Sequence, residues 1–138
     1  MKLTKMIYLA SPYTYKHPDG FLRKAREEIR YVHITDIAAQ LEEKFPYAFI
    51  LPITMSHNTA KYMKKKNGEF EYWSRRDLTY ISRCDEVWVV TMNGWKESVG
   101  VQAEIKFAES LIDEDGDRFC KVRYIDPKTC KFVRKPRG

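Results

Sequence analysis

Cysteine is scarce in this sequence, and its three positions argue against two classes of stabilised domain. Cys84, Cys120 and Cys130 lack the spacing of metal ligands, and their odd number argues against a disulfide framework. Both features are typical of a protein from a reducing compartment. We therefore expect a cytoplasmic protein that uses neither a bound metal nor disulfide bonds.

Long apolar runs are also missing. No stretch approaches the ~20 apolar residues that a membrane-spanning helix requires. The first residues combine a basic start with an apolar centre, but that centre is too short for a secretory signal and is better explained by a buried strand. The sequence contains no internal repeat and no low-complexity linker. These absences predict a single domain over residues 1–138, with no membrane partner.

The composition is that of a soluble globular chain. Hydrophobic residues make up 43% and charged residues 32% of the sequence, which argues against disorder, and 138 residues suffice for a hydrophobic core. The net charge of +6 suits an anionic partner such as a nucleotide phosphate, a nucleic acid or an acidic surface. Part of the excess lies in a basic C-terminal segment, residues 126–138, which a solvated tail explains equally well.

The apolar pattern predicts strands and helices in alternation. Strands are expected at residues 5–10, 49–51, 87–90 and 118–125, with an edge strand at 129–134. Helices are expected at 20–44, at 69–83 and from Ser98 onward, whereas residues 53–66 predict an irregular lid or loop. The inward positions predicted for the first helix are Ala25, Ile29, Val32, Ile37 and Leu41.

This alternation predicts an α/β fold. Apolar strands joined by helices indicate a mostly parallel sheet of about five strands with helices on both faces, a flavodoxin-like or Rossmann-like three-layer sandwich. Ligands in such folds bind beyond the carboxyl ends of the strands. That crevice would collect residues 11–15, the loop from Pro52, and residues 93–100.

Two carboxylates occupy helix positions where the pattern requires apolar side chains. The last helix presents a predicted buried stripe of Val101, Ile105, Ala108 and Ile112. Glu104 lies inside that stripe, and Asp77 lies likewise between Trp73 and Ile81 on the preceding helix. A carboxylate directed at a core is costly unless it is paired or used. Both residues are therefore candidates for function.

The candidate residues suit glycosyl chemistry. One carboxylate can attack an anomeric carbon, and a second acid can manage the proton of the leaving group. Ser98 and Gly100 begin a helix, whose N–H groups and hydroxyl can bind a phosphate. The aromatic residues that can stack a base are Tyr8, Tyr13, Tyr72 and Trp73.

Three blocks in order resemble the nucleoside 2-deoxyribosyltransferase superfamily, and its 2'-deoxynucleoside 5'-monophosphate N-glycosidase branch in particular. Residues 8–13, Tyr-Leu-Ala-Ser-Pro-Tyr, are similar to the first strand and loop of that family, with Ser11 where glycine is usual. Asp77 followed by Asp85 is similar to its helix aspartate and the acid that opens its third strand. The spacing of Ser98, Gly100 and Glu104 is similar to its catalytic block, although Ile105-Lys106 replaces the usual Leu-Gly.

The resemblance implies a role for each matched residue. Glu104 would be the nucleophile at C1', Asp77 would assist the base or orient the sugar, and Tyr8 would position Glu104. Ser98, where free-nucleoside transferases usually carry aspartate, favours a 5'-phosphorylated substrate. The other residues expected to bind substrate are Ser11, Pro12, Tyr13, Trp73, Asn93 and Gly100. The resemblance also implies a homodimer or larger homo-oligomer, and no cofactor.

Structural explanations compete with these roles. Glu104 could pair with Lys61 or Arg75, and Asp77 with Arg76 or Arg83. Tyr8 could be ordinary core, Ser98 a simple N-cap, and His33 and His57 structural or exposed residues. Functional alternatives are a base-exchanging transferase that uses free nucleosides and a non-catalytic nucleotide sensor. A nucleic-acid binder that uses the basic tail ranks last, because it leaves Asp77 and Glu104 unexplained.

Overall fold

Five strands and four helices make up the described part of the chain. The computed structural model describes residues 1–64 and 70–136, and only the backbone of Phe70. The elements in order are β1 (Met6–Ala10), α1 (Gly20–Lys44), β2 (Ala48–Ile50), α2 (Pro52–Tyr62), α3 (Phe70–Ile81), β3 (Glu86–Val90), α4 (Val99–Ser110), β4 (Lys121–Ile125) and β5 (Phe132–Val133).

The strands form one open sheet in the order β2-β1-β3-β4-β5. The first four strands of this order are parallel, and only the short edge strand β5 runs antiparallel, against β4. The predicted α/β, Rossmann-like fold with a mostly parallel sheet is confirmed. β2 and β3 lie on opposite sides of β1, so the chain adds β2 on one side of β1 and then crosses to add β3 on the other. The switch point where ligands bind in such sheets therefore lies between β1 and β3.

Alternate residues of the strands build two separate cores. On one face, which we call the α3/α4 face, Tyr8, Val87 and Val89 pack with Val101 and Ile105. On the other, the α1 face, the core includes Leu9, Trp88, Val90, Ile37 and Leu41. Helices cover both faces, and β3 is therefore buried along its whole length, as expected for the centre of a parallel sheet.

The long helix α1 has the predicted bounds but only part of the predicted buried face. Ile37 and Leu41 are buried, whereas Ala25 is half-buried and Ile29 and Val32 are exposed, so the prediction was wrong for the latter two. The 25 residues of α1 span about 37 Å, while the five residues of β1 span about 17 Å. The helix returns from the carboxyl edge of the sheet, and its first half therefore extends beyond the strands.

The largest error in secondary structure concerns the predicted lid at residues 53–66. Residues 52–62 form the helix α2, with Pro52 in its first turn, where the missing N–H costs no hydrogen bond. Pro52 therefore starts a helix, where the sequence predicts a loop. Lys65, Lys66 and Glu69, which the predictions also included, lie outside the described residues.

The predicted stripe of α4 is one residue too long. Val101, Ile105 and Ala108 are buried, but the helix ends at Ser110, and Ile112 is 59% exposed beyond it. Ile112 instead forms an isolated antiparallel bridge with Arg118. The strand predicted at 118–125 begins at Lys121, and the edge strand predicted at 129–134 is reduced to β5.

All three cysteines are buried as free thiols. Cys84 and Cys120 belong to the core of the α3/α4 face, and Cys130 belongs to the core of the α1 face. Burial raises the pKa of Cys84 to about 12 and that of Cys120 to about 11. None of the helices in residues 1–64 and 70–136 has the length and apolar character needed to span a membrane.

Candidate active site

Three side chains from three elements meet on the α3/α4 face of the sheet. Tyr8 projects from the middle of β1, Asp77 from α3 and Glu104 from α4. The buried hydroxyl of Tyr8 donates a hydrogen bond to Oε2 of Glu104. Asp77 interacts electrostatically with both residues, which places it beside them. The three residues predicted to be catalytic therefore lie together, and we call them the carboxyl cluster.

Burial controls the protonation of the carboxyl cluster. It raises the pKa of Glu104 to about 8; the hydrogen bond from Tyr8 opposes this rise and the charge of Asp77 adds to it. Burial also raises the pKa of Asp77, and the neighbouring Arg76 limits that rise. The pKa of Tyr8 lies well above its usual value, so its hydroxyl remains a donor. Near neutral pH, Glu104 therefore holds a proton in the absence of a bound molecule.

Arg76 is part of the site as well as the predicted ion-pair partner of Asp77. Its Nε and NH2 atoms lie 3.1 and 3.0 Å from Oδ1 of Asp77, and both donate to it. The guanidinium also lies 4.7 Å from the ring centroid of Trp73, in cation–π geometry. The structural alternative for Asp77 is thus confirmed for Arg76. This pair is largely buried, with 23% and 17% of the two side chains exposed.

The structural alternative for Glu104 finds no support. Among the described residues, Glu104 forms no ion pair with Lys61 or Arg75. Its partner is the Tyr8 hydroxyl, and Tyr8 is therefore more than ordinary core. The Asp77 side chain is 17% exposed and Glu104 is half-buried, so the carboxyl cluster is in contact with solvent. A groove of about 630 Å³ along α3, lined by Ser74 and Leu78 among others, does not include the cluster.

The loop after β1 carries three predicted substrate contacts. Ser11 and Pro12 are buried directly after the strand, and the Ser11 hydroxyl has no hydrogen-bond partner among the described residues. Tyr13 is half-buried, and its hydroxyl lies 2.7 Å from Nδ1 of His57 on α2. The loop therefore offers one unpaired polar group, and α2 holds its aromatic residue.

His57 lies between the loop and α1. Burial raises the pKa of Tyr13 to about 12, so its hydroxyl keeps the proton where it lies 2.7 Å from Nδ1 of His57. Nε2 lies 2.7 Å from a Glu28 carboxylate oxygen, and the ring stacks on Tyr31 at 3.9 Å between centroids. The prediction that His57 is structural fits this arrangement. Its contact with a predicted site residue was missed, because α2 was predicted to be a loop.

The start of α4 has the predicted cap. Oγ of Ser98 accepts a hydrogen bond of 3.2 Å from the Val101 N–H, which makes Ser98 the N-cap. Its hydroxyl proton remains free to donate to a ligand. A Cβ on Gly100 would meet only Ser98 Oγ, at 3.9 Å. Gly100 is therefore not required by contacts within the chain, and it leaves open space beside the first turn.

Two predicted substrate contacts lie in different places. Trp73 is half-buried next to Arg76 and so borders the carboxyl cluster. Asn93 is exposed on the loop after β3, and its carbonyl oxygen accepts a 3.4 Å hydrogen bond from Arg30 of α1. Asn93 lines a separate cavity toward the α1 face. The structure therefore groups Trp73 with the cluster but not Asn93.

The comparison with known families identifies the domain. The model of a family described as a domain of unknown function, DUF1937, matches residues 5–114, most of the chain. The chain belongs to the DUF1937 family. No curated protein matches it. The matched part of this DUF1937 chain runs from the residue before β1 past the end of α4, so it contains all three residues of the carboxyl cluster.

In residues 1–64 and 70–136, no three histidine, cysteine, aspartate or glutamate side chains form a group able to hold a metal ion. The polar groups of the candidate site are the two carboxyls, the Tyr8 hydroxyl and the guanidinium of Arg76.

Proposed function

We propose that this DUF1937 domain hydrolyses the N-glycosidic bond of a (2'-deoxy)nucleoside 5'-monophosphate, as its resemblance to the nucleoside 2-deoxyribosyltransferase superfamily implies. The observation that carries the proposal is the hydrogen bond from the buried Tyr8 to Glu104, with Asp77 beside both. Two partly buried carboxyls held next to a hydrogen-bond donor are suited to a nucleophile and an acid acting on one sugar.

The proposed reaction proceeds through a covalent glycosyl-enzyme. A carboxylate oxygen of Glu104 bonds to C1' as the bond from C1' to the base nitrogen breaks, and the base leaves with that electron pair. Glu104 attacks in its ionised form, and the proton that the leaving base needs comes from Asp77, whose pKa burial raises; Asp77 recovers it from the water that cleaves the ester. Water then cleaves the ester to release a sugar 5-phosphate and regenerate Glu104.

The phosphate preference is supported by the start of α4. Ser98 caps the helix through its oxygen and keeps its hydroxyl proton free, so it can donate to a phosphate oxygen. The helix N-terminus favours an anion, and Gly100 leaves room for it. An aspartate at the Ser98 position would repel that charge. The net charge of +6 agrees with an anionic substrate.

A base-exchanging deoxyribosyltransferase is the second candidate. The burial of Tyr8 favours it, because a largely enclosed cluster slows the attack of water on the glycosyl-enzyme and gives a second base time to react. The same family resemblance leads us to propose a homo-oligomer, and the buried, unpaired thiols lead us to propose a cytoplasmic location.

The decisive experiment measures base release. The protein is incubated with a panel of nucleosides and their 5'-monophosphates, and free base is quantified by chromatography. Glu104→Gln should reduce release at least about a thousand-fold, since it removes the nucleophile. The matched control is Glu109→Gln, an exposed carboxylate on the same helix that lies 3.9 Å from Arg118; it should behave like the wild type.

The same assay separates the competing functions. Formation of a new nucleoside after addition of a second base would identify a transferase. Nucleotide binding without base release would identify a sensor. Equal release by the wild type and by Glu104→Gln would refute the assigned nucleophile.

A further inference from the structure

We propose that a second cavity of this protein, on the α1 face, binds a small ligand with two or more phosphate groups. This α1 cavity has a volume of about 720 Å³. Its lining includes Arg26, Ile29, Arg30 and His33 of α1, together with Tyr15 and Lys128 from two loops. It lies beyond the carboxyl ends of β3 and β4, beside the part of α1 that extends past the sheet. The proposal does not depend on the reaction of the carboxyl cluster.

The positive charges of the α1 cavity are not neutralised within the described chain. The side chains of Arg26 and Lys128 form no ion pair with any described residue. The acid of the lining is Asp126, and its Oδ1 accepts hydrogen bonds of 2.7 and 3.3 Å from the N–H groups of Lys128 and Thr129. That carboxylate therefore hydrogen-bonds the backbone of the turn after β4. A concave surface with several unpaired cations attracts a multivalent anion.

Two hydrogen bonds hold the Arg30 side chain in the wall of the cavity. Its NH1 donates to the carbonyl oxygen of Thr14 at 2.7 Å, and its NH2 donates to that of Asn93 at 3.4 Å. A Cβ at position 94 would lie 2.6 Å from this NH2, and Gly94 also has φ of +91°. Only glycine fits both constraints. Arg30 thus joins the loops after β1 and β3.

Arg26 lies beside Arg30 in the same wall of the cavity. Its guanidinium lies 5.8 Å from the ring centroid of Tyr15, and that of Arg30 lies 5.7 Å away. Arg26 forms no hydrogen bond within the described residues, so all five of its N–H donors are available. A guanidinium with free donors, next to a fixed one, matches the oxygens of a phosphate chain.

The spacing of the hydrogen-bonding groups on α1 indicates the size of the ligand. The guanidiniums of Arg26 and Arg30 and the imidazole of His33 follow the i, i+4, i+7 pattern of one helix face, and the outer two are about 10 Å apart along the axis. Two or more linked phosphates match this spread better than one. Ile29 is 59% exposed in the same wall, and it offers an apolar surface to an organic group. A nucleoside diphosphate combines both properties, and the volume is typical of small-molecule sites.

The test is calorimetric titration of the whole protein with pyrophosphate, ADP and adenosine. Pyrophosphate and ADP should bind, with ADP tighter, and adenosine should bind much more weakly than either. Arg26→Ala and Lys128→Ala should each weaken pyrophosphate binding about ten-fold, which corresponds to about 1.4 kcal/mol for a charge-assisted contact. Both residues are at the surface, and thermal unfolding checks that each variant is folded.

The matched control is Lys24→Ala, which removes the same charge from an exposed position of α1 outside the cavity. It should change affinity less than two-fold. Equal weakening by Lys24→Ala would show a general field effect and would overturn the site, as would the absence of pyrophosphate and ADP binding at millimolar concentration.

Two competition experiments complete the test. Pyrophosphate binding should survive Glu104→Gln and should not be displaced by a nucleoside monophosphate, because the carboxyl cluster lies on the other face of the sheet. Displacement would show that the α1 cavity is part of the same site. A single-stranded oligonucleotide that binds the cavity residues more tightly than ADP would assign them to nucleic acid and refute a small-ligand site.

Discussion

Glu86 and Glu104 are two carboxyls withdrawn from water at different places in the same fold. Glu86 opens β3 on the α1 face; it accepts hydrogen bonds from the Trp88 indole at 2.9 Å and from Lys5 at 3.2 Å, and Arg123 lies 3.9 Å away. Glu104 has the Tyr8 hydroxyl as its partner and a second carboxyl nearby. Two cations balance the first carboxylate, whereas burial keeps a proton on the second.

This difference shows what distinguishes a structural carboxylate from a reactive one. Burial alone does not distinguish the two carboxyls, since both side chains are largely enclosed. What differs is whether the neighbours compensate the charge. A compensated carboxylate stabilises the fold and has little tendency to react, while an uncompensated one gains most when a positive centre, such as the C1' of a breaking glycosidic bond, comes close.

The largest predicted effect is on the pH dependence of stability. The pKa of Glu104 rises from 4.5 in the unfolded chain to about 8 in the folded one, so the folded state binds more protons between these values. The contribution of Glu104 to stability is therefore complete below pH 4.5 and is lost as pH rises towards 8, by up to about 1.4 kcal/mol per pH unit. Glu104→Gln should remove this loss and be the more stable protein at pH 8.

The measurement is urea unfolding of both proteins from pH 4 to 9. The difference between the two curves isolates Glu104 from other titrating groups. Parallel curves over the whole range would show that Glu104 titrates normally, and the contrast with Glu86 would disappear.

The second prediction removes the compensated carboxylate. Glu86→Gln should lower the free energy of unfolding by about 2 kcal/mol, because it weakens hydrogen bonds to a buried charge and leaves Lys5 and Arg123 without their partner. Chemical denaturation at pH 7 measures the change. Base release per folded molecule should be unaffected, and a loss of activity comparable to that of Glu104→Gln would contradict the structural role.

The third prediction concerns the donor to Glu104. The hydrogen bond from Tyr8 lowers the pKa of Glu104, so Tyr8→Phe should raise that pKa and move the rising limb of the pH–rate profile to higher pH. Loss of one such bond should reduce base release about ten-fold at pH 7. The control is Tyr124→Phe on the same face, whose hydroxyl forms no hydrogen bond among the described residues. An unchanged profile in Tyr8→Phe would refute the positioning role of Tyr8.

The smallest predicted effect separates the two roles of Ser98. Ser98→Ala should cost about 1 kcal/mol of stability, because the Val101 N–H loses its cap. Ser98→Asp restores a capping oxygen and should stay within about 0.5 kcal/mol of the wild type, but its charge should weaken binding of a nucleoside monophosphate. If Ser98→Asp binds the monophosphate as well as the wild type, Ser98 is only a cap.

Local patterns were sufficient to predict most of the fold. The apolar runs gave the first four strands, and the helical period gave both ends of α1. Asp77 and Glu104 were found because each breaks a helical stripe, a signal that one helix carries by itself. Both residues meet Tyr8 because α3 and α4 cover the face of the parallel sheet on which the Tyr8 side chain lies.

Features that depend on several elements were not predicted. Ile29 and Val32 fit the helical period of α1. They are exposed because α1 is longer than the strands that it covers, and this follows only when the two lengths are compared. The α1 cavity needs loops from three strands, and no single stretch of sequence contains it. The contact between His57 and Tyr13 joins α2 to a loop 44 residues earlier, so it could not be found while α2 was predicted to be a loop.

The buried cysteines have a practical consequence. Because burial raises the pKa of Cys84 to about 12 and that of Cys120 to about 11, almost no thiolate is present at pH 8, and an alkylating reagent has to wait for the chain to open. Cys84 and Cys120 sit behind α3 and α4, while Cys130 sits behind α1. Mass spectrometry of labelled peptides would therefore measure the labelling rate of each cysteine, and these rates report the opening of the two helical layers separately.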